Sequence, residues 1–218
     1  MGIGMAIAER FLADHFNSPG HTIVDHHVYG IVSDGDMMVG IASEAASLAG
    51  TLGLGKVIYF YDDNEISIEG STDLAFTEEV GRRFDAYGWH VQRTDGNDIE
   101  ALETALALAK AETGRPSLII ARTQIAFGSP GKAGTAAAHG APLGEEEVRL
   151  TKRALGWPED SSFYVPPEAL AEFRSAMDRG VALEACVERT VHRLRARISG
   201  AGSPLAHGHG GRAAGGMG

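Results

Sequence analysis

Between Val28 and Thr123 the chain alternates short runs rich in β-branched and aromatic residues with amphipathic segments. That alternation is the mark of βαβ crossovers, so the fold class is α/β, a mainly parallel sheet flanked by helices. The strand candidates are Val28 to Val32, Val57 to Tyr61, His90 to Arg93 and Ser117 to Thr123. Ile41, Ala45, Leu48 and Leu52 recur at helical spacing before Gly53 and Gly55. Phe76, Val80, Phe84 and Tyr87 do so before Gly88. Both sets read as faces turned to the core. A third helix opens at Asn97 with Glu100 three residues on, a capping-box pattern, carries Ile99, Leu102 and Leu106 inward and stops at Gly114.

The flanks read differently. The apolar start, Met1 to Ala8, has no basic leader and runs straight into the polar helical pattern Glu9 to Asp14, which makes it a helix and not a signal peptide. Ile125 to Leu143 is Gly/Ala-rich and too long for an ordinary connection, which makes it either a functional loop or a disordered one, with function favoured. Helical runs follow around Glu145 to Leu155, Pro167 to Asp178 and Val181 to Ile198, the last with Leu183, Val187, Val191, Leu194 and Ile198 on one face. The expected organisation is one domain with a helical extension over 1–198 and a disordered Gly/Ala/His-rich tail over 199–218. A chain of 218 residues is too short for two full α/β domains.

Composition excludes several functions. There are 29 acidic and 19 basic residues, a net charge of -10, and no basic cluster to track a phosphate backbone, so no nucleic acid is expected as partner. No apolar run approaches the roughly 20 residues that cross a bilayer, so no membrane is expected either. A single cysteine, Cys186, excludes an internal disulfide and fits a cytoplasmic location.

The chemistry gathers after two strands. Ser33-Asp34-Gly35-Asp36 follows the first strand and precedes a helix, at the carboxyl end of a parallel strand where open α/β sheets take ligands. Asn64 follows the next strand, in Tyr61-Asp62-Asp63-Asn64-Glu65-Ile66-Ser67-Ile68, so one βαβ unit brings both oxygen donors to the same sheet edge. A carboxylate and an amide oxygen, with a backbone carbonyl, suit a hard divalent ion such as Mg²⁺ or Ca²⁺, and an adjacent glycine at a helix start suits phosphate oxygens. Either motif alone is also what a plain turn looks like.

The Asp34-Gly35 turn and Asn64 resemble the thiamine diphosphate signature. The segments Ser43 to Lys56, Tyr61 to Asn64, Phe84-Asp-Ala-Tyr-Gly-Trp-His-Val91, Phe127-Gly-Ser-Pro130 and His139-Gly-Ala-Pro-Leu-Gly144 resemble bacterial transketolase specifically, and the likeness extends over roughly residues 2 to 175. The resemblance implies the thiamine diphosphate-binding (PP) fold in an incomplete form. It makes Asp34, the Asn64 side chain and the Ile66 carbonyl metal ligands. Ser33, Gly35, Asn64, Ile68, Ile125 and His139 become the cofactor contacts, with His139 touching the diphosphate and serving as the catalytic candidate.

The implied function is that of the pentose phosphate pathway enzyme. A two-carbon glycolaldehyde unit passes from a ketose phosphate to an aldose phosphate, using thiamine diphosphate and Mg²⁺ or Ca²⁺. Sugar phosphates are then the substrates, and the partner is a second copy (a homo-oligomer) or a complementary transketolase subunit. The family's domain begins well before the point matching Gly2, and its pyrimidine-binding domain, which supplies the activating glutamate, has no counterpart here. A non-catalytic cofactor-anchoring module, or the remnant of one, is the alternative. Four positions depart from the family pattern: Ser33 and Ala126 stand where glycines are usual, Val39 where a glutamate lies at the subunit contact, and Ala136 to Ala138 where the run is more polar.

Overall fold

The computed structural model describes residues 1–197; Ile198 and the tail expected over 199–218 lie outside the described residues. In chain order the elements are α1 (Gly2–Phe16), β1 (Val28–Ser33), α2 (Asp34–Met38), α3 (Gly40–Leu52), β2 (Val57–Asp63), the short strands β3 (Ile66–Ser67) and β4 (Gly70–Ser71), α4 (Val80–Ala86), β5 (His90–Asp95), α5 (Ile99–Ala111), β6 (Ser117–Arg122), α6 (Glu145–Ala154) and α7 (Pro167–Arg197). The chain divides into two compact units. One comprises Met1–Asp14 with Asp25–Tyr164, the other His15–Val24 with the described residues from Val165 to Arg197.

The first unit is built on a four-stranded parallel sheet in the order β1-β2-β6-β5, with β3 and β4 forming a separate antiparallel pair. The four long strands fall where the sequence places them, to within two residues at each end. β6 is central, and Ser117 to Ala121 are all buried, the continuous burial expected of a strand covered on both faces. Each large apolar side chain removed from water there contributes about 1.5–3 kcal/mol. Trp89 is 1% exposed and donates its indole N–H to the Ala46 carbonyl at 2.8 Å, tying the approach to β5 to α3. At the open edge, β1 leaves Tyr29 and Ile31 exposed.

Two helices, α3 and α5, depart from expectation in which face they bury. In α3, Ile41, Leu48 and Leu52 are exposed, while Ala46 and Ala49 are buried. The small face wins because the backbones pack closely: a Cβ on Gly50 would meet the Tyr87 carbonyl oxygen at 1.7 Å. In α5, Ile99 is exposed, Leu102 and Leu106 are half-buried, and Ala105 and Ala109 form the inner face. Its cap is Asp98, whose carboxylate accepts from the Ala101 N–H at 3.0 Å, one residue beyond the Asn97 expected from the sequence. The Phe76 segment becomes helical only at Val80, with Val80 and Phe84 buried.

In the second unit, Asn17 organises the short segment before Val24. Its side-chain oxygen accepts from the Ile23 and Val24 N–H groups at 2.7 and 2.9 Å, and its amide donates to the Val24 carbonyl at 2.7 Å. The two helical runs expected near the carboxyl end form one helix, α7. On its anticipated apolar face Leu194 is buried, whereas Leu183 and Val187 are exposed. Among the described residues, no helix is long and apolar enough to cross a membrane.

Candidate functional site

Because the four long strands are parallel, the chain leaves each of them at one edge of the sheet, and the candidate residues sit there. Asp34 opens α2 directly after β1 and is 4% exposed. A buried carboxylate needs donors. Oδ1 accepts from the Tyr61 hydroxyl at 2.5 Å, and Oδ2 from the Glu65 N–H at 3.1 Å. Tyr61 is itself buried on β2, and burial first, then the bond to Asp34, push its phenol well above the ordinary value, so it stays protonated as a donor. Glu65 takes φ +60°, a left-handed conformation that costs about 1 kcal/mol or more for a non-glycine residue. That turn folds the chain after β2 back toward Asp34.

Asn64 is held from both ends. Its Oδ1 accepts from the Ile66 N–H at 3.0 Å, and its Nδ2 donates to Asp62 Oδ2 at 3.3 Å. Asp62 in turn accepts the Thr123 hydroxyl proton from just beyond β6. With an acceptor on one side and a donor on the other, the amide has one orientation that satisfies both. Ser33 uses the side chain that a glycine would lack: Asp36 Oδ2 accepts from its N–H at 2.8 Å and from its hydroxyl at 3.1 Å.

Two adjoining clefts carry every residue singled out from the sequence. The first, about 440 Å³, is lined by Ser33, Asp34, Gly35, Asn64, Ile66, Ile68 and His139. The second, about 580 Å³, shares Ser33, Asn64 and His139 and adds Asp62 and Ile125. His139 ends the one-turn helix Ala136–Ala138 and is exposed on the rim.

The donor set suits a hard cation and an anion. Asp34 and Asn64 each present oxygens that hold one protein hydrogen bond apiece and keep a lone pair. Among the described residues, no three His, Cys, Asp or Glu side chains cluster as a metal site, so any ion here would rest on mixed carboxylate, amide and carbonyl oxygen. A Cβ on Gly35 would meet nothing within 4 Å, so neither backbone conformation nor protein packing asks for glycine there, and the space beside its backbone is open. Sequence reasoning missed Tyr61, Asp62 and Thr123 as supports. Tyr61 and Asp62 stand in the segment that carried the resemblance, but their partners lie across strands.

Comparison with known proteins identifies relatives over most of the chain. A family model described as the transketolase thiamine diphosphate binding domain matches residues 1–212. The transketolase of Nostoc sp. is 51% identical over 198 residues, which is 90% of this chain and 29% of the relative. A solved transketolase from Leishmania mexicana superposes with a TM-score of 0.86 at 43% identity, covering 90% of this chain and 29% of that one. A Pichia stipitis transketolase in complex with sedoheptulose-7-phosphate gives the same TM-score and coverage at 37% identity. The chain thus spans less than a third of the length of these relatives. A domain model that matches residues 1–212 of the chain, 51% identity to a curated relative over 198 residues and a matching parallel sheet place the chain in the transketolase family, within its thiamine diphosphate binding domain.

Proposed function

We propose that the chain anchors the diphosphate end of thiamine diphosphate through a divalent metal, Mg²⁺ or Ca²⁺, and that it serves transfer of a two-carbon glycolaldehyde unit from a ketose phosphate to an aldose phosphate. The observation that carries the reading is the pairing of Asp34 with Asn64 at one sheet edge, each oriented by its own hydrogen bonds. When bound, the cofactor supplies the carbon nucleophile and electron sink of such chemistry. The residues of this chain do the holding. Asp34, Asn64 Oδ1 and the Ile66 carbonyl would take the metal, the open side of Gly35 would admit diphosphate oxygens, and His139 would approach them from the facing loop. Ile68 and Ile125 offer apolar surface for the rings.

The sugar phosphate substrates follow from the family and from the sedoheptulose-7-phosphate complex of the Pichia stipitis relative. We further propose that the chain works in an assembly, with a second copy or a complementary transketolase subunit as partner. The exposed apolar residues Ile31, Val39 and Ile41 around a cleft of about 310 Å³ support such an assembly.

The test is a Mg²⁺-dependent titration of thiamine diphosphate. Asp34→Ala removes a charged ligand and should weaken binding most, and Asn64→Ala should weaken it less. Asp62→Ala, which releases the Asn64 amide, should weaken it least but measurably. Parent-like affinity in Asp34→Ala would overturn the site.

A further inference from the structure

The loop that carries His139 to the cleft is fastened from outside the site. Of the three glutamates in the first turn of α6, Glu146 pairs with Arg149 at 2.7 Å, whereas Glu147 turns to the loop. Its Oε1 accepts from the Ser129 hydroxyl and from the Gly131 N–H at 2.7 Å. Ser129 is 3% exposed, and its oxygen accepts in turn from the Lys132 N–H at 3.1 Å. Gly131 is fitted to this carboxylate: a Cβ there would lie 3.1 Å from Glu147 Oε2. The hydrogen bonds to Ser129 and Gly131 hold the Glu147 carboxyl below the usual carboxylate range.

A second fastening closes the loop on itself. Lys132 Nζ donates to the Leu143 carbonyl at 2.9 Å and to the Pro142 carbonyl at 3.3 Å, so the stretch from 132 to 143, with His139 inside it, is drawn into a ring. The Gly134 N–H bonds the Ile125 carbonyl at 2.9 Å, which ties this ring to the residue lining the second cleft. Neither Glu147 nor Lys132 lines either cleft.

We propose that Glu147 and Lys132 are positioning residues: they fix the loop from Ile125 to Leu143 so that His139 stands over the cleft, an inference that rests on the reading of the cleft as a thiamine diphosphate site. An exposed histidine on a Gly/Ala-rich loop has many conformers, and a contact to an anion is realised only in the fraction that faces it. Closing the loop beforehand removes that cost.

The test is a double-mutant cycle on the full chain, read by Mg²⁺-dependent titration of thiamine diphosphate and by the ring signals of His139 in NMR, assigned with the His139→Ala spectrum. Glu147→Ala should weaken binding by about tenfold, one hydrogen bond's worth, as His139→Ala does. The double variant should be no weaker than His139→Ala alone, because both changes remove one contact. Glu147→Gln, which keeps an oxygen able to accept from Ser129 and Gly131, should restore affinity to within a few-fold. Lys132→Met should act in the same direction as Glu147→Ala and covers the case in which Glu147→Ala fails to fold. Parent-like binding in Glu147→Ala beside a weakened His139→Ala, or additive losses in the double variant, would overturn the proposal while leaving the cofactor site standing. A parent that binds no cofactor would overturn the function instead. The His139 ring signals then decide the brace: unchanged in Glu147→Ala they refute it, and shifted in Glu147→Ala but restored in Glu147→Gln they support it.

Discussion

Replacing Tyr61 with phenylalanine removes one oxygen and leaves the ring in place, which makes it the sharpest probe of how Asp34 is held. The lost bond joins two side chains that are each 4% exposed, and its acceptor is a carboxylate. Hydrogen bonds to charged groups contribute about 1.5–3 kcal/mol, and Asp34 Oδ1 would be left without this donor while Oδ2 keeps only the Glu65 N–H. For a chain of this size each kcal/mol moves the melting temperature by roughly 2–4 °C, so Tyr61→Phe should melt about 3–12 °C below the parent. Urea unfolding followed by tryptophan fluorescence would give the same loss as a shifted midpoint at constant slope. In an Asp34→Asn background the acceptor is neutral, and the cost of Tyr61→Phe should fall to about 0.5–1.5 kcal/mol. A Tyr61→Phe protein within about 0.5 kcal/mol of the parent, or one that loses as much in the Asp34→Asn background, would refute a charge-assisted bond as the support of Asp34.

Two further outcomes follow from the same structure. Ala126 has φ +53°, so Ala126→Gly should relieve about 1–2 kcal/mol of left-handed strain against about 0.4–1 kcal/mol of added unfolded-state freedom, and the variant should melt slightly higher; a lower melting temperature would contradict it. The Glu147 carboxyl is lowered in the fold from its ordinary 4.5, so its contribution is present above that value and lost as pH falls through the folded one; the gap in melting temperature between the parent and Glu147→Ala should be open at neutral pH and close in acid.

The strands were legible because short β-branched runs bounded by glycine and acidic turns leave little else for them to be, and once they are parallel the residues after each strand share an edge. That is why Asp34 and Asn64 could be placed together from the sequence, whereas Ile125 and His139 entered only through the resemblance. The helix faces were less legible. Periodicity follows hydrophobicity, whereas α3 is seated by fit, with Ala46 and Ala49 against the sheet layer and Ile41 and Leu48 outside. The supports of the site were not legible, because the Tyr61 to Asp34 and Thr123 to Asp62 bonds join residues 27 and 61 apart in the chain and depend on strand order and register. The fastening of the loop by Glu147 was hidden in a run of three glutamates with nothing in the sequence to single one out.

The tether between Asn64 and Asp62 is one that an amide can make and a carboxylate cannot. A carboxylate at 64 would face Asp62 with no proton to give, and two anions would repel where one bond now orients the side chain. The consequence is an account of charge. On the proposed reading, a divalent ion held by Asp34 and Asn64 would have one of its two positive charges answered by those two side chains. An ion arriving together with a polyanion would then be better balanced than the ion alone. A carboxylate at position 64 would shift that balance toward bare metal, which Asn64→Asp would test.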